Sequence, residues 1–190
     1  MSLLSTASLN ASYWDDLSSI TLLIRIIVGL TFAAHGYKHI YLGGKLAGTA
    51  RWFDSLGMKP NGMIHAVLAS ATELACGILM ILGFLTPLAA AGYVGVLLVA
   101  AWTNHRPHGY WSDSGWEYVS VLGTFAVFIA AVSPGKHSLD WALGLDFAFR
   151  PFTAFAIAAG LGLISGIGLL VACYRPAPPA PAADAEPSPS

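Results

Sequence analysis

The chain has 190 residues, 56% of them hydrophobic and 10% charged, with a mean hydropathy of +0.66. A soluble domain carries about 25% charged residues, and a net charge of −1 offers no field for a polyanion. Composition therefore argues against a soluble globular fold, a disordered chain and a nucleic-acid binder, and points to an all-α integral membrane bundle.

Residues 1–16 read as a short extramembrane segment. They carry Asp15 and Asp16 but no Lys or Arg, so the basic start of a cleavable signal peptide is missing. The first apolar run covers residues 17–37. In the loop that follows, Leu46, Ala50, Phe53 and Leu56 share one helical face, while Lys45, Arg51 and Asp54 lie away from it. That pattern predicts a short helix near 45–58 lying in the headgroups, with packing on the bundle as the alternative. Gly57 and the Pro60-Asn61-Gly62 turn end it. The second run covers 63–83. The third starts at Phe84 or Pro87 and ends at 103, with Gly83 and Pro87 marking a tight hairpin between the two. The fourth covers 116–132. Ser138 reads as the N-cap of a short helix reaching about 149, with Asp140 near its positive end. Pro151 opens a fifth run, 151–174. The organisation expected is thus a bundle over 17–149, a fifth transmembrane helix over 150–175, and a disordered Pro/Ala-rich tail over 176–190.

Five crossings put Lys38, Lys45, Arg51, Lys59, Arg106 and Arg175 on one side and only Lys136 and Arg150 on the other. The positive-inside rule then predicts a multi-pass protein of the inner (plasma) membrane, with its N-terminus outside and its C-terminus in the cytoplasm. Trp14, Trp102, Trp111, Trp116 and Trp141 fall at span ends or in flanking loops, as an interfacial aromatic belt requires.

Arg25 and Glu73 are the formal charges well inside the expected spans. Each costs roughly 2.5–3.5 kcal/mol at a helix centre, and pairing across the first two helices would offset both. Arg25, Gly29, Phe32 and Gly36 share a face of helix one; Ala66, Ala69, Glu73 and Gly77 share a face of helix two. Small residues there let the backbones approach. A ligand or proton site and a register-fixing ion pair are both consistent with this pattern. His35, His39, His65, His105 and His108 map to one membrane side, and His35 and His39 are spaced i, i+4. His35, Lys38, His105 and Glu117 are candidate ligand or proton contacts. Spacing alone does not show the convergence a metal needs, so no metal centre is assigned. Gly162 and Gly166 fit a small-xxx-small stripe for docking on the other helices, a second copy or another subunit. Phosphate-loop, GxSxG and HExxH motifs are absent, and no bound cofactor is indicated.

Several segments in order resemble the DoxX family of small bacterial membrane proteins. These are Arg25-Ile-Ile-Val-Gly29, His35-Gly36-Tyr37-Lys38, the run from Glu73 through Gly77 and Gly83 to Thr86-Pro87, Glu117, and Ser133-Pro134-Gly135-Lys136-His137-Ser138-Leu139-Asp140. In the last, Ser133 stands at the first position of the family's Gly-Pro-Gly. The resemblance spans about residues 22–145. It implies a four-helix membrane core, to which this chain adds a fifth helix. Some members resemble the membrane subunit of a thiosulfate:quinone oxidoreductase, and others are associated with thiol-redox assemblies. The leading expectation is thus an accessory subunit of a quinone-linked or thiol-redox membrane complex, contacting quinone, with the electron carrier in a partner subunit. The alternatives are a non-enzymatic scaffold or anchoring subunit, assembled with other membrane proteins or with itself, and, ranked below it, a small-molecule or lipid transporter.

Overall fold

The computed structural model describes residues 3–145 and 148–177. Among the described residues there are helices and no strands; a single isolated bridge joins Met58 to Tyr174. Helix α1 is Leu3–Tyr41, α2 Lys45–Ser55, α3 Gly62–Leu82 and α4 Thr86–Ala100. A π-helical turn over Ala101–His105 and a 3-10 turn over Arg106–His108 prolong α4. Helix α5 is Glu117–Val132, α6 the single turn Leu139–Ala142, and α7 the continuous helix Pro151–Cys173, with a π-helical stretch over Ala156–Leu161.

Four of these are long and apolar enough to cross a membrane: the stretch Asn10–Tyr41 of α1, α3, α4 with its extension, and α7. Helix α5 has 16 residues and rises only about 24 Å. Even so it runs from one end of the bundle to the other. Next to its start, Trp116 N donates to Gly109 O beside the α4 extension. Just past its end, Lys136 N donates to the Ser18 hydroxyl on α1.

The first apolar run, expected over 17–37, lies within a longer helix. No Gly or Pro interrupts residues 3–16, so α1 starts at Leu3 and, at 39 residues, exceeds a bilayer core of about 30 Å. The α3–α4 hairpin turns where expected, with Gly83 in the left-handed region at φ +62. Ser138 caps α6 by accepting from Trp141 N at 3.1 Å, but α6 stops at Ala142, well short of 149.

Helices α1 and α3 cross closely. A β-carbon on Gly29 would lie 2.7 Å from Gly77 O, one on Gly77 2.6 Å from Ala33 N, and one on Gly36 2.8 Å from Ser70 O. Helix α7 docks on α4 of the same chain in the same manner, with Gly162 against Ala91 O and Gly166 against Gly95 O. The main core lies where α1, α3, α4, α5 and α7 meet, around Phe32, Met80, Tyr93, Ala126 and Ile129. Phe32 and Tyr93 stack with ring centroids 3.7 Å apart, and the Tyr93 hydroxyl donates to Val28 O at 3.1 Å.

The apolar face of α2 does not lie outward in the headgroups. Ala50 and Phe53 are buried in a second cluster with Met58, Ala66 and Val99, and the end of α7 packs against it. Lys59 N donates to Cys173 O and Arg175 N to Gly57 O, which stitches the α7 C-terminus to the α2–α3 loop.

Candidate functional site

Between α3, α4 and α7, under α2, lies a cavity of about 270 Å³. Its walls are largely apolar: Phe53, Met58, Leu68, Val96, Val99 and Leu169. Gly92, Gly95 and Gly166 are the α4 and α7 lining positions that add no side chain. Against that surface stand a few polar groups from four elements: His39 of α1, His65, Thr72 and Glu73 of α3, Thr103 of the π-turn, and Ser165 of α7. An apolar cavity with a small convergent polar set is the usual form of a small-molecule site.

Glu73 is the unusual member. It is only 6% exposed, and its Oε2 has no hydrogen-bond partner among the described residues. The nearest basic group is the His39 ring, whose Nε2 lies 3.6 Å from Oε2, beyond hydrogen-bonding distance. His39 also stacks on Trp52, centroid to centroid 6.3 Å. His35, one turn back on α1, completes a cluster. One nitrogen from each imidazole and a Glu73 oxygen lie within 4.8 Å of one another. The sequence reading assigned no metal centre; the structure brings together two imidazoles and a carboxylate, a donor set able to ligate one. His65 is tied down elsewhere, with Nε2 2.8 Å from Lys59 O.

Arg25 does not join this site. Gly29 lies against Gly77, and Gly36 against Ser70 and Glu73, so Arg25 is level with Ile81 at the opposite end of α3. The two charges are separated by two turns or more, about 12 Å along the helix axis. Arg25 is fully buried and donates to Ile81 O at 3.3 Å and to His137 O. A β-carbon on Gly83 would lie 1.8 Å from its Nη1, so the guanidinium occupies the space that glycine leaves. The counter-charge it feels is Asp140. Asp140, 1% exposed, accepts from Leu85 N at 2.7 Å and from Thr86 N and Oγ1 at 2.9 and 2.6 Å. Arg25 thus holds the carbonyl end of α3, and Asp140 the amide end of α4. The expected Arg25–Glu73 pair is therefore two separate centres, one clamping a hairpin and one at a cavity.

The other candidates fall outside the cavity lining. Lys38 and His35 are exposed. His105 Nδ1 is 2.8 Å from Ser114 O, and Glu117 Oε2 accepts from Trp111 N at 3.2 Å, so both hold the loop between α4 and α5. His39, Thr103 and Ser165 line the cavity instead, and sequence reasoning did not single them out for this role. The glycine register was the available signal, since Gly36 against Ser70 sets Glu73 beside residues 35–39.

The DoxX family profile matches residues 20–106. Inner membrane protein YphA of Escherichia coli (strain K12) is 33% identical over 129 residues, 63% of this chain and 86% of that protein. The chain belongs to the DoxX family. Membrane protein Rv3486 of Mycobacterium tuberculosis is 29% identical over 130 residues, 62% of this chain and 77% of that protein. No solved structure matches the chain. In this DoxX protein the family-matched segment contributes α2, α3, α4 and most of α1, hence Glu73, His35, His39 and most of the cavity; α7, which supplies its remaining wall, lies beyond the match.

Proposed function

We propose that this DoxX protein is a membrane subunit that holds the headgroup of a quinone-class molecule in the α3–α4–α7 cavity. The observation that carries this reading is the buried Glu73 Oε2, without a hydrogen-bond partner among the described residues, at the wall of a largely apolar 270 Å³ cavity. A lone buried carboxylate is costly, and a site that keeps one does so where it gives or takes a proton or binds a polar ligand group. Reduction of a quinone to a quinol takes two electrons and two protons. This chain carries no electron-carrier motif, so the electrons come from a cofactor in a partner subunit. Glu73 and His39 supply the proton path at the cavity wall, and Thr72, Thr103 and Ser165 are available to orient a carbonyl oxygen. The six cations Lys38, Lys45, Arg51, Lys59, Arg106 and Arg175 belong to segments at the α2 end of the bundle, and we place that end in the cytoplasm.

The test is quinone binding to the full chain in nanodiscs. Trp52 lines the cavity, so a short-chain quinone should quench its emission saturably. Glu73→Gln should weaken binding at least 10-fold while leaving the helical circular dichroism unchanged, and Trp52→Phe should remove the saturable quench. Absence of saturable quenching in the parent protein, or equal affinity in Glu73→Gln, would overturn this reading in favour of a scaffold or anchoring subunit.

A further inference from the structure

We propose that His35, His39 and Glu73 form a binding site for one divalent d-block cation, zinc(II) in the first instance. The i, i+4 spacing of the histidines puts both imidazoles on one face of α1. Gly36 lies between them, and the close approach it permits brings Glu73 of α3 against them; a β-carbon at Gly36 would be 3.1 Å from the Glu73 β-carbon. The three ligand atoms lie within 4.8 Å of one another, with His39 Nε2 and Glu73 Oε2 3.6 Å apart. Zinc bonds of roughly 2.0–2.2 Å in a tetrahedron set neighbouring ligand atoms about 3.4 Å apart. The His39–Glu73 pair already has nearly that spacing, and the widest pair closes by about 1.4 Å, within reach of side-chain rotation.

The second observation is the orphaned oxygen. Glu73 Oε2 is buried without a hydrogen-bond donor among the described residues, and its nearest nitrogen sits at a distance suited to sharing a cation. Two imidazoles and one carboxylate are the donors of borderline metals, not of calcium or magnesium, which take oxygen. His35 is exposed and gives the ion a way in from the aqueous end. The remaining coordination positions suit water or a ligand in the cavity.

This inference shares Glu73 and His39 with the quinone reading but does not rest on it. The experiment uses the metal alone, on full-length protein in detergent carried on a histidine-free affinity tag and stripped of metal. Cobalt(II) is titrated in as a spectroscopic probe and displaced with zinc(II). One equivalent per chain with the intense visible bands of a four- or five-coordinate ion is the expected result. His35→Ala should weaken cobalt binding on the order of 100-fold, as removing a direct ligand costs at least what outer-shell changes do. Glu73→Gln should do the same. His35 is exposed, so its variant keeps the fold, and the exposed His108→Ala and His137→Ala should bind as the parent does. No stoichiometric uptake, unchanged binding in His35→Ala, or equal loss in His108→Ala would overturn the site. Quinone binding measured on the metal-free protein tells failure of this site from failure of the cavity reading.

Discussion

Removing the Asp140 carboxylate should destabilise the bundle more than any other single side-chain truncation at the Arg25 end. The side chain is 1% exposed and accepts three hydrogen bonds, two from the backbone amides of Leu85 and Thr86 and one from the Thr86 hydroxyl. Hydrogen bonds to a charged acceptor contribute roughly 1.5–3 kcal/mol each, and a carboxylate at a partly buried helix N-terminus adds up to about 2 kcal/mol. These terms overlap, and truncation leaves the Leu85 and Thr86 donors unsatisfied, so the combined loss is about 3–5 kcal/mol. Asp140→Ala should therefore lose about 3–5 kcal/mol. Asp140→Asn keeps an acceptor oxygen but no charge and should lose about 1.5–3 kcal/mol. Equilibrium unfolding in mixed micelles with increasing dodecyl sulfate, followed by circular dichroism, measures both. Arg25→Met adds a cycle: the double variant should lose at least about 1 kcal/mol less than the two single losses together, because each single change strands the other charge. An Asp140→Ala protein within about 0.5 kcal/mol of the parent would refute the clamp.

Two further substitutions probe the same packing. Gly83→Ala places a methyl 1.8 Å from Arg25 Nη1 at a backbone φ of +62, and should cost about 3 kcal/mol or more through strain and displacement of a buried charge; a variant as stable as the parent in the same unfolding assay would contradict the placement of the guanidinium. Tyr93→Phe removes one buried hydrogen bond, to Val28 O, and keeps the ring stack on Phe32, so it should cost about 1 kcal/mol by the same measurement; a loss near that of Asp140→Ala would mean the hydroxyl has a further partner.

The spans were legible because a bilayer demands long apolar runs, and Gly83 with Pro87 left a visible break between two of them. The start of α1 was not, since residues 3–16 are polar enough to read as extramembrane yet contain nothing that stops a helix. Amphipathicity showed that α2 has an apolar face but could not say what covers it; the end of α7 and Met58 do. Depth in the membrane made Arg25 and Glu73 look like partners. Antiparallel register decides otherwise, and the small residues that set it were all in view. Asp140 does stand in the first turn of the helix capped by Ser138, but local spacing could not show that its hydrogen bonds reach residues more than fifty positions away. His39 illustrates the same limit, because a spacing of four marks a shared face without naming the residue opposite.

Helix α7 gives the cavity two origins. The acid and the imidazoles come from the segment that the family profile matches, whereas Ser165, Gly166 and Leu169 come from a helix outside that match. The buried acid and one wall of the cavity are thus encoded in separable stretches of the chain. Exchange of the C-terminal helix alone would change that wall of the cavity and leave Glu73, His35 and His39 in place.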